Sequence, residues 1–359
     1  TIDGGDGEDS LTGGTGDDTY LFDTNDVDGN ESIAENPGEG TDVIKLSSNT
    51  DFSNMTVASF NEIEVINLGN NRTGTFTGAQ LTGETLDLQE TGSGTSSFII
   101  SMGSGATGTF TNITASSFDN GSDTFTINGT SGNENITGAN IATSIVAGTG
   151  DDTVVAGTQN DIIDGGDGAD SLTGGSGDDV YLFDAGDVDS GEAIVESGGG
   201  GTDVISLDEN VDFSLMTAAS FDQIEQIRFA GSSKTGTFTG AQLTTETIAL
   251  TETGGGTNKL VVEVASGTTV DLSNLSNGTG WDNGTDTITI NGVDAGGEVI
   301  TGPNIHKTSI FGKSGNDNIT GGRAVVSGHI LTERADIFAA NERGANFLFK
   351  NNNGKFDDV

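Results

Sequence analysis

The sequence predicts an all-β chain built from short, stacked strands, and three observations carry that reading. Apolar residues arrive in brief β-branched and aromatic bursts, such as Val43-Ile44-Lys45-Leu46, Phe98-Ile99-Ile100 and Thr124-Phe125-Thr126-Ile127. Gly, Asn, Asp, Ser and Thr separate the bursts, and no stretch sustains a 3.6-residue apolar period. The chain also repeats itself on two scales, as stacked architectures do.

The longer repeat is a tandem duplication. GGDGEDSLTGGTGDDTYLFD, which starts at Gly4, returns as GGDGADSLTGGSGDDVYLFD, which starts at Gly165. GTDVIKL from Gly40 returns as GTDVISL from Gly201, and TGTFTGAQLTGET from Thr73 as TGTFTGAQLTTET from Thr235. The copies are therefore placed at 1–160 and 161–322, with 323–359 as the edge of a further β domain.

The shorter repeat is nine residues long. From Gly129, six nonapeptides run in frame: GTSGNENIT, GANIATSIV, AGTGDDTVV, AGTQNDIID, GGDGADSLT and GGSGDDVYL. Their eighth positions are all apolar or aromatic: Ile136, Ile145, Val154, Ile163, Leu172 and Tyr181. The sixth is aspartate in the last four, Asp152, Asp161, Asp170 and Asp179. Copy one opens with two more such units, holding Asp9 and Asp18, and a late unit, GKSGNDNIT, holds Asp317.

Such a unit has a physical logic. Glycines at the first, second and fourth positions allow a tight loop with positive φ angles. The strand that follows turns one apolar side chain inward, and only stacking makes a continuous core from such side chains. The loop aspartates and freed carbonyls then gather on one side, and oxygen donors at that density suit Ca²⁺. A merely solvated acidic face is the competing reading of the same aspartates.

GGxGxDxUx resembles the repeat of the RTX (haemolysin-type calcium-binding) family over residues 4–46 and 129–207, and less closely over 302–322. The resemblance implies a right-handed parallel β-roll, two nonapeptides per turn, with Ca²⁺ between loops eighteen residues apart. Carried onto this chain, it pairs Asp152 with Asp170 and Asp161 with Asp179. Carbonyls of Gly148, Gly150, Gly166, Gly168, Gly175 and Gly177 would complete the shells. Thr143 and Glu134 replace the aspartate in their units, so those coils are expected to hold no metal, and Gln159 replaces a fourth-position glycine. Asp9 and Asp18 sit in good loops, but partners eighteen residues earlier would precede Thr1, so these sites are expected to be half-built or completed by a neighbouring chain. Asp26, Asp28 and Asp42, with Asp187, Asp189 and Asp203 in copy two, are either further oxygen ligands or ordinary turn residues. The bursts between the nonapeptide blocks are read as longer, metal-free coils of the same solenoid, with a separate β-sandwich as the alternative. The tail, with Asn346-Phe347-Leu348-Phe349 and Gly354-Lys355-Phe356-Asp357, resembles part of an FG-GAP (VCBS-like) blade.

Composition narrows the function. Twelve Lys and Arg stand against 55 Asp and Glu, a net charge of −43, which repels phosphate backbones and argues against nucleic acid. The same imbalance marks disordered chains, but the regular apolar bursts argue for folding once the charge is offset. Without cysteine there is no disulfide and no thiolate site, and no apolar run reaches the roughly 20 residues of a spanning helix. GKS at Gly312 lacks the upstream glycine of a phosphate loop, His306 and His329 stand alone, and Trp281 reads as structural. The chain begins at Thr1, not Met, and reads as a processed or excised piece.

The expectation is therefore a non-enzymatic, secreted calcium-binding protein of the bacterial cell surface: a surface-layer, filament or adhesin subunit. Its partners would be further copies of itself or surface glycans. The rival reading is the calcium-folded secretion and stability module of a type I-secreted enzyme or toxin.

Overall fold

The structure is a computed structural model. It describes all residues except 39, 119–121, 197–199, 282–284, 295, 306, 322–336, 343–344, 352–355 and 359, and beyond 336 the backbone alone. Two compact units divide the chain, Thr1–Val180 and Tyr181–Val359.

In the first unit, strands close in sequence fall into different parallel ladders, so the chain winds as a solenoid. One ladder runs through Ile2–Asp3, Thr19–Phe22, Val43–Leu46, Val65–Asn67, Leu86–Gln89 and Ile113–Ala115. A second runs through Thr50–Asp51, Thr73–Thr77, Ser97–Ser101, Thr124–Thr130, Ser144–Thr149 and Ile162–Asp167. A third joins Thr107–Thr109, Asn135–Thr137, Thr153–Gly157 and Ser171–Gly175.

Register gives the length of each coil. Ile127, Ile145 and Ile163 lie side by side on one face, and Ile136, Val154 and Leu172 on another, each eighteen residues from the next. Two nonapeptides therefore make one coil, and all six of these side chains are fully buried. Outside this block the coils lengthen, as Tyr20 pairs with Ile44, Ile44 with Ile66, Phe98 with Phe125 and Gly108 with Ile136. The solenoid continues through these coils, and the sandwich alternative falls away. The sequence boundary at 160/161 lies inside one ladder, between the paired strands Ser144–Thr149 and Ile162–Asp167.

The long coils are held by packing. Phe52 stacks on Phe76 with centroids 4.8 Å apart, Phe76 on Phe98 at 4.8 Å, and Phe98 meets Phe125 edge-on at 5.3 Å. Such pairs add about 0.5–1.5 kcal/mol each beyond the area they bury. The TGTFTGAQL motif makes a strand followed by one helical turn, Gly78–Leu81, which delivers Gln80 to the interior. Its amide donates to the carbonyls of Phe52 (2.7 Å) and Met55 (2.9 Å) and accepts the Thr77 N–H (2.7 Å). Gln80→Ala would strand two buried carbonyls, so an unfolding titration in calcium is expected to show a loss of about 1–3 kcal/mol.

The second unit has the same construction. Val204–Leu207, Gln226–Ala230, Ala249–Thr253 and Ser276–Asn277 form one parallel ladder. Val211–Asp212, Thr235–Thr239, Lys259–Glu263, Thr287–Asn291 and Thr308–Phe311 form another. Gln242 repeats the Gln80 bonds, donating to Phe213 and Met216 carbonyls at 2.7 and 2.9 Å. Trp281 is buried, 5.1 Å from Phe229, which agrees with its structural reading.

A third ladder of this unit joins Thr269–Asp271, Val299–Thr301, Asn318–Gly321 and Ile337–Glu342. Ile337–Glu342 then pairs antiparallel with Ala345–Asn351, and that strand with Phe356–Asp358, so the parallel pattern ends at Ile337–Glu342. The side chains and loops that carry the FG-GAP resemblance lie outside the described residues, as do His306 and His329.

Candidate metal centre

One hydrogen bond recurs at the loop corners and builds the site. The corner acid of each coil accepts, on one oxygen, the backbone N–H of the corner residue one coil earlier. Asp152 Oδ1 takes the Glu134 N–H (2.6 Å), Asp170 the Asp152 N–H (2.7 Å), Asp161 the Thr143 N–H (2.7 Å) and Asp179 the Asp161 N–H (2.8 Å). The four aspartates are at most 1% exposed. The pairs expected from the repeat, Asp152 with Asp170 and Asp161 with Asp179, are therefore stacked neighbours.

The second oxygen of these acids tests whether a metal fits. Among the described residues, Oδ2 of Asp9, Asp152, Asp161 and Asp317 is buried and has no hydrogen-bond partner. A buried carboxylate oxygen without a donor costs several kcal/mol unless it binds a cation or takes a proton. Burial accordingly pushes Asp161 up to about 8, with the Asp179 charge adding and the Thr143 N–H opposing. Burial also pushes Asp152 up to about 6, opposed by the Glu134 N–H and reinforced by the Glu134 charge.

The glycines divide the labour differently from the sequence expectation. The second and fourth positions are left-handed, as at Gly166 (φ 79°), Gly168 (φ 149°), Gly148 (φ 113°), Gly150 (φ 126°), Gly175 (φ 106°) and Gly177 (φ 136°). First-position Gly165 is not left-handed. It is needed because a Cβ there would lie 2.5 Å from Asp170 Oδ2, so the carboxylate occupies the side-chain space. Gln159 does without a left-handed backbone at its fourth position. Gly166→Ala combines φ strain, about 1–2 kcal/mol, with a clash against the Gly148 carbonyl. Calorimetry is expected to show weakened calcium binding at this loop, with the Phe52–Phe98 coils still folded.

At the start of the chain, partners eighteen residues before Asp9 and Asp18 would precede Thr1, and the structure gives both residues a partner ahead of them instead. Their N–H groups point to the following coil, where acids receive them: Asp9 donates to Glu31 Oε2 (2.9 Å) and Asp18 to Asp42 Oδ1 (2.9 Å). Asp42 is thus the corner acid of a longer coil, and passes the pattern on by donating its own N–H to Glu64 (2.7 Å). Glu35 joins it, accepting the Gly13 N–H (3.1 Å) and the Tyr20 hydroxyl. Asp18, Glu35 and Asp42 each bring a carboxylate oxygen within 4.8 Å of the others. Burial, then the Asp42 charge, raises Glu35.

Sequence reasoning missed Glu31 and Glu35, because it looked eighteen residues back, whereas these acids lie ahead of Asp9 and Asp18 at other spacings. The signal available was duplication, since Glu192 and Glu196 recur in copy two, where Tyr181 again bonds Glu196. Asp26 and Asp187 are turn residues whose carboxylates cap the N–H of Asp23 and Asp184, while Asp28 and Asp189 are exposed. Asp203 donates its N–H to Glu225 (2.8 Å), as Asp42 does to Glu64. Thr143 turns its hydroxyl to the Ile141 carbonyl (2.7 Å).

A family model for the RTX calcium-binding nonapeptide repeat matches four copies, over residues 1–24, 146–181 and 308–324. This chain carries RTX repeats. They bind calcium, and the orphaned corner oxygens are where Ca²⁺ would replace a missing donor. Each RTX match contains the corner acids just described: Asp9 and Asp18, Asp152 to Asp179, and Asp317. RTX repeats are typical of secreted proteins, and no helix among the described residues is long and apolar enough to cross a membrane. No curated protein and no solved structure matches the chain significantly.

Proposed function

We propose that this chain is an extracellular structural or adhesive repeat protein, a surface-layer, filament or adhesin subunit held in shape by calcium. The observation that carries the reading is the stacking of buried corner acids whose outer oxygens have no donor, in a chain of net charge −43. That arrangement makes folding conditional on a calcium-rich medium, which is the condition outside a cell. Tandem copies of one stacked unit suit a structural role, and solenoid coils associate by strand-edge pairing and stacking.

In this reading Asp152, Asp161, Asp170, Asp179, Asp9, Asp18 and Asp317 hold calcium, and no residue performs catalysis. Light scattering across a calcium titration tests the assembly. Growth of particles beyond the monomer as calcium rises supports it. A folded monomer at every calcium concentration would favour the rival role, a calcium-folded module serving a secreted enzyme or toxin. Calcium-dependent retention on a glycan array would favour adhesion over self-assembly.

A further inference from the structure

The duplicated copies differ at one buried corner in a way the repeat pattern does not register. In copy one, Glu134 occupies the sixth position of its nonapeptide and is fully satisfied. It accepts the Gly105 N–H (2.6 Å), the Thr130 hydroxyl (2.8 Å) and the Thr130 N–H (3.2 Å). Its counterpart in copy two is Glu298, which follows DTITIN as Glu134 follows DTFTIN. Glu298 keeps the bond from the equivalent glycine, Gly267 (3.3 Å). Thr130, however, is replaced by Val293, which has no hydroxyl, and the intervening loop is one residue longer.

The consequence is a pair of buried acids facing each other. Glu298 is fully buried and Asp317 is 4% exposed. Oε2 of Glu298 and Oδ2 of Asp317 are both buried without a hydrogen-bond partner. Asp317 Oδ1 accepts the Glu298 N–H (3.0 Å), and a parallel bridge between Gly296 and Gly315 holds the two loops side by side. Glycine is needed at 296 and 312, where a Cβ would strike the Glu298 and Asp317 carboxylates respectively. Burial first, and contact with Asp317 next, raise the Glu298 carboxyl above its ordinary value.

We propose that Glu298 and Asp317 together bind a divalent cation, Ca²⁺, in a site that uses glutamate at a repeat corner. Glu298 lies outside the residues matched by the repeat model, which take in Asp317 alone. The two orphaned oxygens are hard donors that a single cation satisfies at once, whereas two carboxylates side by side in a dry corner repel. The inference rests on calcium being the metal of the neighbouring repeats. Glu134 binds none, because its donors already come from Thr130 and Gly105.

Calcium stoichiometry, measured by calorimetry on the full chain, tests this. Glu298→Gln and Asp317→Asn are each expected to remove one site, and Glu134→Gln none. If Glu298→Gln binds calcium with unchanged number and affinity, the pair shares a proton and the proposal fails. If the unaltered chain binds no calcium at all, the calcium reading of the repeats fails with it.

Discussion

In excess chelator near neutral pH, the nonapeptide coils from Gly129 to Val180 are expected to lose their β structure. The long coils around Phe52, Phe76 and Phe98 are expected to keep theirs. The physical reason lies in what holds each set. The nonapeptide coils contain small cores of one Ile, Val or Leu per strand and corner acids whose outer oxygens need a cation. The long coils contain stacked phenylalanines and buried glutamine amides with full hydrogen bonding.

A site occupied at a hundred times its Kd contributes about 2.7 kcal/mol to the fold. Two such sites, Asp152 with Asp170 and Asp161 with Asp179, contribute about 5 kcal/mol, comparable to the whole stability of a marginal domain. Hydrogen exchange with mass spectrometry reads the two regions separately. Protection in 129–180 is expected to collapse by orders of magnitude on chelation and to return with calcium. Unchanged protection there would show that these coils fold without calcium.

The second large effect is a pH dependence that calcium abolishes. An unfolded aspartate ionises near 3.9, whereas burial holds the Asp152 proton to about 6 and the Asp161 proton to about 8 in the metal-free fold. Between about pH 4 and pH 8 the metal-free folded chain therefore binds more protons than the unfolded chain. Its stability is greatest at the acid end and falls as pH rises, levelling off above about 8. Calcium needs the same carboxylates ionised, so with saturating metal the folded chain carries no proton on them, and stability is level above about pH 5, where the unfolded aspartates are ionised too.

Melting temperature against pH should fall between about pH 5 and pH 8 in chelator and stay level in saturating calcium. Asp161→Asn mimics the protonated acid. It is expected to raise the metal-free melting temperature near neutral pH and to lower calcium binding. Parallel slopes in the two media would sink the assignment of Asp161 to the metal.

The glycines and acids of the nonapeptides made much of this legible beforehand. A period of nine with an apolar eighth position has only stacking as a way to bury its strands, so the parallel coil and the inward set from Ile136 to Tyr181 followed from spacing. The eighteen-residue pairing of Asp152 with Asp170 and of Asp161 with Asp179 followed once the repeat was recognised. The role of first-position Gly165 did not, because a missing Cβ looks the same in sequence whether φ or a packed carboxylate demands it.

By itself, then, the sequence determined the repeating unit, the chemistry of its corners and the sign of its charge, since these are properties of spacing and composition. Only the tertiary structure decided which acids meet. Outside the nonapeptide block the coils are longer and unequal, so the partner of Asp18 is Asp42, and that of Asp9 is Glu31. The charge of −43 is the same in every conformation. Whether a carboxylate oxygen within it is satisfied depends on which donors folding brings near: the Thr130 N–H reaches Oε2 of Glu134, and Oε2 of Glu298 is buried without a hydrogen-bond partner.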